Sequence, residues 1–186
     1  MPSTHNGTAI YTIGHSNVSA QKIIELLQKH HIEIVVDVRS APYSRYSPQF
    51  NRETLAKTLE SHGIEYAYAG DYLGGRPKDP TCYRQPPAAG GKTDYRNAVD
   101  YAEVARRPRY QRGLERLMEI AQEKATAILC SEENPRHCHR HWLIAQSLLE
   151  RGFEVQHIRG DGRLEPASEI TEVQQLSLLG EEWDVQ

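Results

Sequence analysis

Five short apolar runs, each followed by polar residues, define the pattern of this chain. They cover residues 9–13, 32–38, 66–69, 126–129 and 154–158. Runs of this length with polar borders and β-branched residues are typical of buried strands. Because segments of helical periodicity separate most of them, we predict a mostly parallel sheet with helices on both faces. The expected fold is a single α/β domain, a Rossmann-like three-layer sandwich of about five strands.

The chemically active side chains are concentrated where the predicted strands end. The clusters, in chain order, are His15 with Ser16, Asp37 with Arg39, Gly70 with Asp71, Cys130 with Glu132, and Arg159 with Asp161. In an open α/β sheet, ligands bind in the crevice outside the carboxyl ends of the strands. The pattern therefore predicts a site at this edge of the sheet and favours an enzyme.

Apolar stripes and end signals indicate several helices. Ser19 is a suitable N-cap for a helix over residues 20–30, and a second helix should end before Gly63. The Asn-Pro pair at residues 134–135 predicts the start of another helix. That helix should continue to about Arg151, because a glycine follows.

The composition is typical of an ordinary soluble domain. Hydrophobic residues make up 38% of the 186 residues, and the mean hydropathy is -0.67. No apolar stretch approaches the roughly 20 residues of a membrane helix, and the N-terminus lacks a signal-peptide core. The three cysteines are odd in number and show no disulfide framework. We expect reduced thiols, a cytoplasmic protein and no membrane partner.

The formal net charge of -3 conceals a basic body and an acidic C-terminus. Six acidic and no basic residues follow Arg163, so residues 1–163 carry all 22 basic and 19 of the 25 acidic residues, a net of +3. We assign residues 1–163 to the domain and residues 164–186 to an acidic helix or tail. That tail is either a solvated face or a shield for a basic surface.

Residues 76–97 and 106–116 are two basic stretches. The first is rich in proline, glycine, arginine and tyrosine, which is typical either of a lid over an anion or of disorder. The second is helical, is interrupted at Pro108 and carries five arginines. Those arginines form either an anion-binding patch or a solvated helix face.

Cys130 and Arg136 have the Cys-x5-Arg spacing of a tyrosine-phosphatase loop. Such a loop needs glycines that turn backbone amides towards phosphate, whereas this one contains Glu132 and Glu133. Their charge would repel phosphate and raise the pKa of the thiol, so we reject the assignment. A thiol of low pKa needs a cationic neighbour, and His15 is the candidate.

Thiol and imidazole groups lie close together after Cys130, and two roles for them stay open. Cys138 shares a predicted helical face with apolar residues, so it either packs or reacts. His139 and Arg140 lie off that face, and Arg140 is a candidate anion ligand. Cys130, Cys138 and His139 are also candidate ligands of a divalent metal, although Cys-x7-Cys-His is not a recognised zinc spacing.

The second predicted strand ends in an acidic and a basic residue. Asp37 and Arg39 face the same side of the strand, so Asp37 is a candidate general base or ribose ligand and Arg39 a candidate anion clamp. The alternative is a local ion pair that holds the following loop. In that loop Arg45 is a second candidate anion ligand, and His15 is either structural or catalytic.

Four motifs occur in a specific order along residues 9–160. They are Gly14-His15-Ser16; Asp37-Val38-Arg39 with Pro42-x-Ser44-Arg45 and Pro48-x-Phe50; Leu73-Gly74-Gly75; and Cys130-x-Glu132-x-x-Pro135-x-x-Cys138-His139-Arg140. In these motifs the chain resembles the bacterial and archaeal family called domain of unknown function 488. The resemblance implies a compact α/β fold and no established reaction. It adds Ser44, Gly74 and Gly75 to the candidate site.

The residues lead to three functional hypotheses. The first is an enzyme acting on an anionic, phosphate-bearing small molecule or nucleic acid. Its catalytic candidates are Cys130, His15, Asp37 and Glu132, and its binding candidates are Arg39, Ser44, Arg45, Gly74, Gly75, His139 and Arg140. The second is a non-catalytic nucleic-acid-binding module. The third is a metal-binding regulatory protein, with a divalent metal on the Cys/His group.

Overall fold

The computed structural model describes residues 8–86 and 93–169, in which one sheet lies between two layers of helices. The strands are β1 (Ala9–Gly14), β2 (Ile34–Asp37), β3 (Glu65–Tyr68), β4 (Thr126–Cys130), β5 (Glu154–Ile158) and β6 (Leu164–Pro166). The α-helices are α1 (Ala20–Lys29), α2 (Arg52–Ser61), α3 (Gly70–Leu73), α4 (Tyr95–Ala98), α5 (Tyr101–Arg106), α6 (Pro108–Glu123) and α7 (Gln146–Leu149). The predicted three-layer α/β sandwich is confirmed.

The sheet places the carboxyl end of β4 at its centre. The strand order is β3-β2-β4-β1-β5-β6, and only the pairing of β5 with β6 is antiparallel. All five residues of β4 are buried, as expected for a strand covered on both faces. Cys130, its last residue, pairs in register with Gly14, the last residue of β1. The first and fourth strands therefore bring their terminal motifs together.

The helices bury one apolar core on each face of the sheet. Since side chains alternate along a strand, Ile10 and Ile128 face α6 and α7, whereas Ile13 and Leu129 face α1 and α2. The start of α1 is the predicted one, because Ser19 Oγ accepts a hydrogen bond from the backbone amide of the first turn. None of the helices in the described residues is long and apolar enough to span a bilayer.

The sheet has one strand more than the sequence predicts. Asp161 accepts hydrogen bonds from Arg163, and Gly162 adopts a φ of 82°, so the chain turns back after β5. The following residues pair with β5 as β6, so the sheet extends three residues beyond the domain boundary expected at residue 163. β6 is largely exposed and lacks an apolar signal. Most of the predicted acidic tail, residues 170–186, lies outside the described residues.

The continuous helix predicted from residue 134 to Arg151 is also wrong. Asn134 does accept a hydrogen bond from the amide of Arg136, but it caps only a short 3-10 turn, Pro135–His137. Cys138 is extended, with φ of -138° and ψ of 144°. A π-helical stretch, Arg140–Ala145, follows and continues into α7. The interruption decides where Cys138 and His139 point.

The two basic stretches have different structures. Residues 76–86 and 93–97 contain the 3-10 turn Pro80–Cys82, a bridge between Tyr83 and Val99, and α4, so disorder is not the right interpretation for this part of the loop. Residues 87–92 of the predicted loop lie outside the described residues. The arginine-rich segment forms α5 and α6, which break before Pro108 as predicted.

Candidate functional site

Cys130, Cys138 and His139 form a compact group at the carboxyl end of β4. The 3-10 turn reverses the chain after Cys130 and returns the other two residues to it. His139 Nδ1 lies 3.8 Å from Cys130 Sγ and 3.7 Å from Cys138 Sγ. The three side chains are 7%, 4% and 8% exposed, respectively. The structure thus brings together the three residues considered as metal ligands.

The pKa values of the two thiols are shifted in opposite directions. A hydrogen bond from the Cys138 thiol lowers the pKa of Cys130 well below its usual range, and nearby His139 and Arg140 add to this, although burial opposes it. Burial, followed by the hydrogen bond and the charge of Cys130, raises the pKa of Cys138 well above its usual range. Cys130 is therefore the more acidic thiol of the pair.

Arg140 holds the loop that carries the group. Its side chain is fully buried, Nε donates to Thr12 Oγ1 at 3.1 Å, and Nη2 donates to the Glu133 carbonyl at 2.6 Å. Nη1 donates to the Glu132 carbonyl. These hydrogen bonds commit the guanidinium to oxygen atoms of the chain itself, which favours a structural role for Arg140 over the expected anion clamp. Its role is to position Cys130, Cys138 and His139.

Two further contacts fix the same loop against the sheet. The Glu133 carboxylate accepts from Arg159 Nε and Nη2, both at 3.0 Å, and from the amide of Gly160 at 3.0 Å. A Cβ atom on Gly14 would lie 1.7 Å from the Glu132 carbonyl oxygen, so only glycine allows the loop to approach β1 this closely. The group is therefore built on a rigid support.

A buried chain of polar groups extends from Arg140 into the core. Arg140 Nε donates to Thr12 Oγ1, which lies 2.7 Å from His157 Nδ1, and His157 Nε2 lies 3.1 Å from His141 Nδ1. We assign the Thr12 hydroxyl as donor to His157, and His157 Nε2–H as donor to His141. Burial lowers the pKa of His141 to about 4 and that of His157 to about 3, with Arg136 and Arg140 as the next causes, respectively. Both rings are neutral near pH 7.

Asp37 and Arg39 form a buried ion pair rather than an open catalytic pair. Arg39 Nη2 lies 2.6 Å from Asp37 Oδ2, and Nε lies 2.9 Å from Oδ1. Tyr66 donates to the same carboxylate at 2.7 Å, and Arg39 also donates to the Phe50 carbonyl at 2.9 Å. The local ion pair that holds the loop is thus the interpretation that fits. The Asp37 carboxylate is fully buried and occupied by these partners, which disfavours the expected general-base role.

His15 is neutral in this geometry and is not the cation that Cys130 was expected to have. Its Nδ1 lies 2.7 Å from the Ser16 carbonyl, and its Nε2 lies 3.1 Å from Arg39 Nη1. Because Arg39 can only donate, Nε2 must accept and Nδ1 carries the proton. Burial lowers the pKa of His15, and the charge of Arg39 contributes in the same direction. The ring stacks on Phe50 at 4.3 Å.

The remaining motif residues differ in position and in structural role. Ser44 is a turn residue whose Oγ accepts from the amides of Tyr46 and Ser47. Arg45 is exposed and lies over the ring of Tyr46 at 4.9 Å, away from the Cys/His group's cavity. A Cβ on Gly74 would lie 2.3 Å from Ser40 Oγ, so this glycine serves close packing.

The Cys/His group opens on a cavity of about 240 Å³. Its lining includes Arg39, Gly75, Arg76, Tyr95, Arg96, Tyr101, Glu132 and the three members of the group. Gly75 lets His139 approach, since a Cβ there would lie 2.7 Å from the ring. A neighbouring cavity of about 420 Å³ shares Arg39 and Glu132 and contains His15 and Ser44. A larger one, about 610 Å³ along β3, contains no member of the group, so volume alone does not locate the chemistry.

Several residues that line the cavity were not among the predicted site residues, and the cationic and aromatic ones are Arg76, Tyr95, Arg96, Tyr101 and His137. The Arg76 guanidinium lies 4.5 Å from the centre of the Tyr95 ring, and Arg96 lies 3.9 Å from Asp94. In the sequence, the basic and tyrosine-containing composition of residues 76–97 indicated a lid over an anion. It did not identify which of these residues face the site.

Comparison with known proteins identifies the family of the chain. A family model described as "Domain of unknown function DUF488" matches residues 19–146, which include Cys130, Cys138 and His139. No match was found among curated proteins or among solved structures. With two thirds of its length matched, the chain belongs to the DUF488 family.

Proposed function

We propose that the protein is an enzyme that acts on an anionic, phosphate-bearing substrate in the cavity beside Cys130. The observation that carries the proposal is the shared lining of this cavity by the Cys/His group and by Arg76 and Arg96. A reactive group and cationic side chains that meet in one concave site are the general signature of an active site. The group of Cys130, Cys138 and His139 supplies the chemistry, and the arginines hold the substrate.

Arg76 is the best anion ligand of this cavity. Its side chain is exposed, its guanidinium lies over Tyr95, and it makes no ion pair with any residue that the structure describes. Arg96 is partly neutralised by Asp94, and Arg39 is committed to Asp37. A guanidinium presents several donors to phosphate oxygens, which makes arginine a frequent phosphate ligand.

Binding tests the proposal before any substrate is known. Isothermal titration with pyrophosphate and with nucleoside monophosphates should give saturable binding that Arg76→Gln weakens about tenfold or more, since hydrogen bonds to charged groups contribute roughly 1.5–3 kcal/mol. Arg163→Gln is the matched control, because Arg163 is exposed, is paired with Asp161 and does not line the cavity. Equal affinity of wild type and Arg76→Gln would contradict the assignment.

A nucleic-acid-binding module without chemistry is the second hypothesis. The arginines of α5 and α6 weaken it, because several face acids: Arg106 faces Glu103, and Arg116 lies 2.8 Å from Glu119. Paired arginines contribute little to a basic patch. Oligonucleotide binding that falls steeply with salt and is unchanged by Cys130→Ser would favour this module over the enzyme.

A further inference from the structure

The ligand atoms of the Cys/His group lie close enough together to share one metal ion. The two sulfur–nitrogen distances are 3.8 and 3.7 Å, and all three ligand atoms lie within 4.8 Å of one another. A zinc ion with Zn–S bonds of about 2.3 Å and Zn–N bonds of about 2.0–2.1 Å would require sulfur–nitrogen separations of roughly 3.6 Å. The two sulfur–nitrogen distances would therefore have to shorten by only about 0.1–0.2 Å.

We propose that Cys130, Cys138 and His139 bind one Zn²⁺ ion and leave its fourth coordination position open to the cavity. A catalytic role for this metal rests on the proposed function. Metal binding itself can be measured without a substrate. Three protein ligands with one open position are the pattern of catalytic zinc, whereas structural zinc is closed by four. The open position is the cavity of about 240 Å³ that all three residues line.

The donor set selects the class of metal. Two cysteines, which give up their protons when a metal binds, and one imidazole are soft or borderline ligands, which suit zinc and exclude Mg²⁺ and Ca²⁺ as preferred occupants. Glu132 is exposed on the rim of the cavity and is not one of the grouped ligands. His137 and His141 do not join the group either, because His137 is exposed and His141 is bonded to His157.

The support of the loop makes the three ligands a preformed site. Arg140 fixes the carbonyls of Glu132 and Glu133, and Gly75 leaves room for the His139 ring. His139 presents Nδ1, not Nε2, to both sulfurs. Because no large rearrangement is needed to collect the ligands, little ordering entropy opposes metal binding. The bound metal would polarise a substrate oxygen or a water at the open position.

The test is the metal content of untagged protein purified without chelator. Elemental analysis and native mass spectrometry should give one zinc per chain for wild type and for Cys82→Ser, the matched control, since Cys82 is buried apart from the group. Cys130→Ser and Cys138→Ser should lose most of the zinc. After replacement by Co²⁺, wild type should show thiolate-to-cobalt charge-transfer bands and tetrahedral d–d bands, and both variants should lose them.

Several results would overturn the site. Folded wild type that contains no zinc and gives no cobalt–thiolate bands would do so, as would zinc retained in full by both variants. A mass showing a Cys130–Cys138 disulfide in protein kept under reducing conditions would replace the metal with a redox pair. If the variants do not fold, chelator titration of wild type decides, because the zinc-free protein should then take up one Co²⁺ ion per chain and show thiolate-to-cobalt bands. If the protein contains zinc but binds no phosphate-bearing anion, the metal site is supported and the proposed substrate class is wrong.

Discussion

The pair of buried neutral histidines predicts a marked loss of stability between about pH 7.5 and pH 5. His141 and His157 bond to each other in the core, and His157 also bonds to Thr12; burial lowers the pKa values of His141 and His157 to about 4 and about 3 from an ordinary 6.5. In the unfolded chain both rings take up a proton as the pH falls through 6.5. In the folded protein they stay neutral down to about pH 4, so acid favours the unfolded chain.

The magnitude follows from proton linkage. At pH 5 each histidine is about 1.5 pH units below its unfolded pKa, and each unit corresponds to about 1.36 kcal/mol, so each ring lowers the free energy of unfolding by about 2 kcal/mol. The two contributions add to about 4 kcal/mol, because the folded protein takes up neither proton at this pH. His15, whose pKa burial also lowers, acts in the same direction. This is a large loss, because the whole free energy of unfolding of a typical domain is only about 5–15 kcal/mol.

Urea unfolding followed by circular dichroism at several pH values measures this effect. The extrapolated free energy of wild type should fall by about 4 kcal/mol from pH 7.5 to pH 5, and His157→Gln should show roughly half of that change because one of the two rings is gone. His31→Asn removes an exposed histidine at a positive φ that asparagine tolerates, and should keep the wild-type pH dependence. A flat profile in wild type, or an unchanged slope in His157→Gln, would refute the reasoning.

Three further variants test the support of the site and of the fold. Gly14→Ala should prevent folding or destabilise by several kcal/mol, because the new Cβ would lie 1.7 Å from the Glu132 carbonyl; a wild-type urea midpoint would show that the loop can move. Tyr66→Phe should cost about 1.5–3 kcal/mol, since it removes the 2.7 Å hydrogen bond to the buried Asp37 carboxylate, and an unchanged midpoint would contradict that bond. Ser19→Ala should lower stability by about 1 kcal/mol through loss of the α1 cap, whereas no loss in thermal unfolding would count against the cap.

The sequence predicts the sheet well because its central strands, β2 and β4, are buried on both faces and therefore form continuous apolar runs. The apolar run of β4 and the N-cap at Ser19 are local signals, and the structure has both elements where they were expected. β6 was not predicted, because an exposed three-residue edge strand has almost no hydrophobic pattern. Its existence depends on the turn at Gly162 and on pairing with β5.

The sequence predicted which motifs lie near the site, but not what each of their residues does there. Asp37 and Arg140 are ionisable residues near the sheet edge, yet both are buried and fully bonded within the chain. A sequence cannot distinguish a charged group that faces a ligand from one that fixes a loop, because the difference lies in long-range contacts. The same holds for Cys138, whose extended backbone replaces the predicted helix and turns its sulfur towards Cys130.

Turnover by cysteine variants is the most direct test of the central claim that the Cys130 cavity is where this protein does its chemistry. Phosphate-bearing compounds that bind in titration would be incubated with wild type, Cys130→Ser and Cys82→Ser, and product would be followed by mass spectrometry. The account predicts turnover by wild type and Cys82→Ser and none by Cys130→Ser, with all three proteins folded. Equal turnover by Cys130→Ser, or no turnover of any bound compound by wild type, would contradict it.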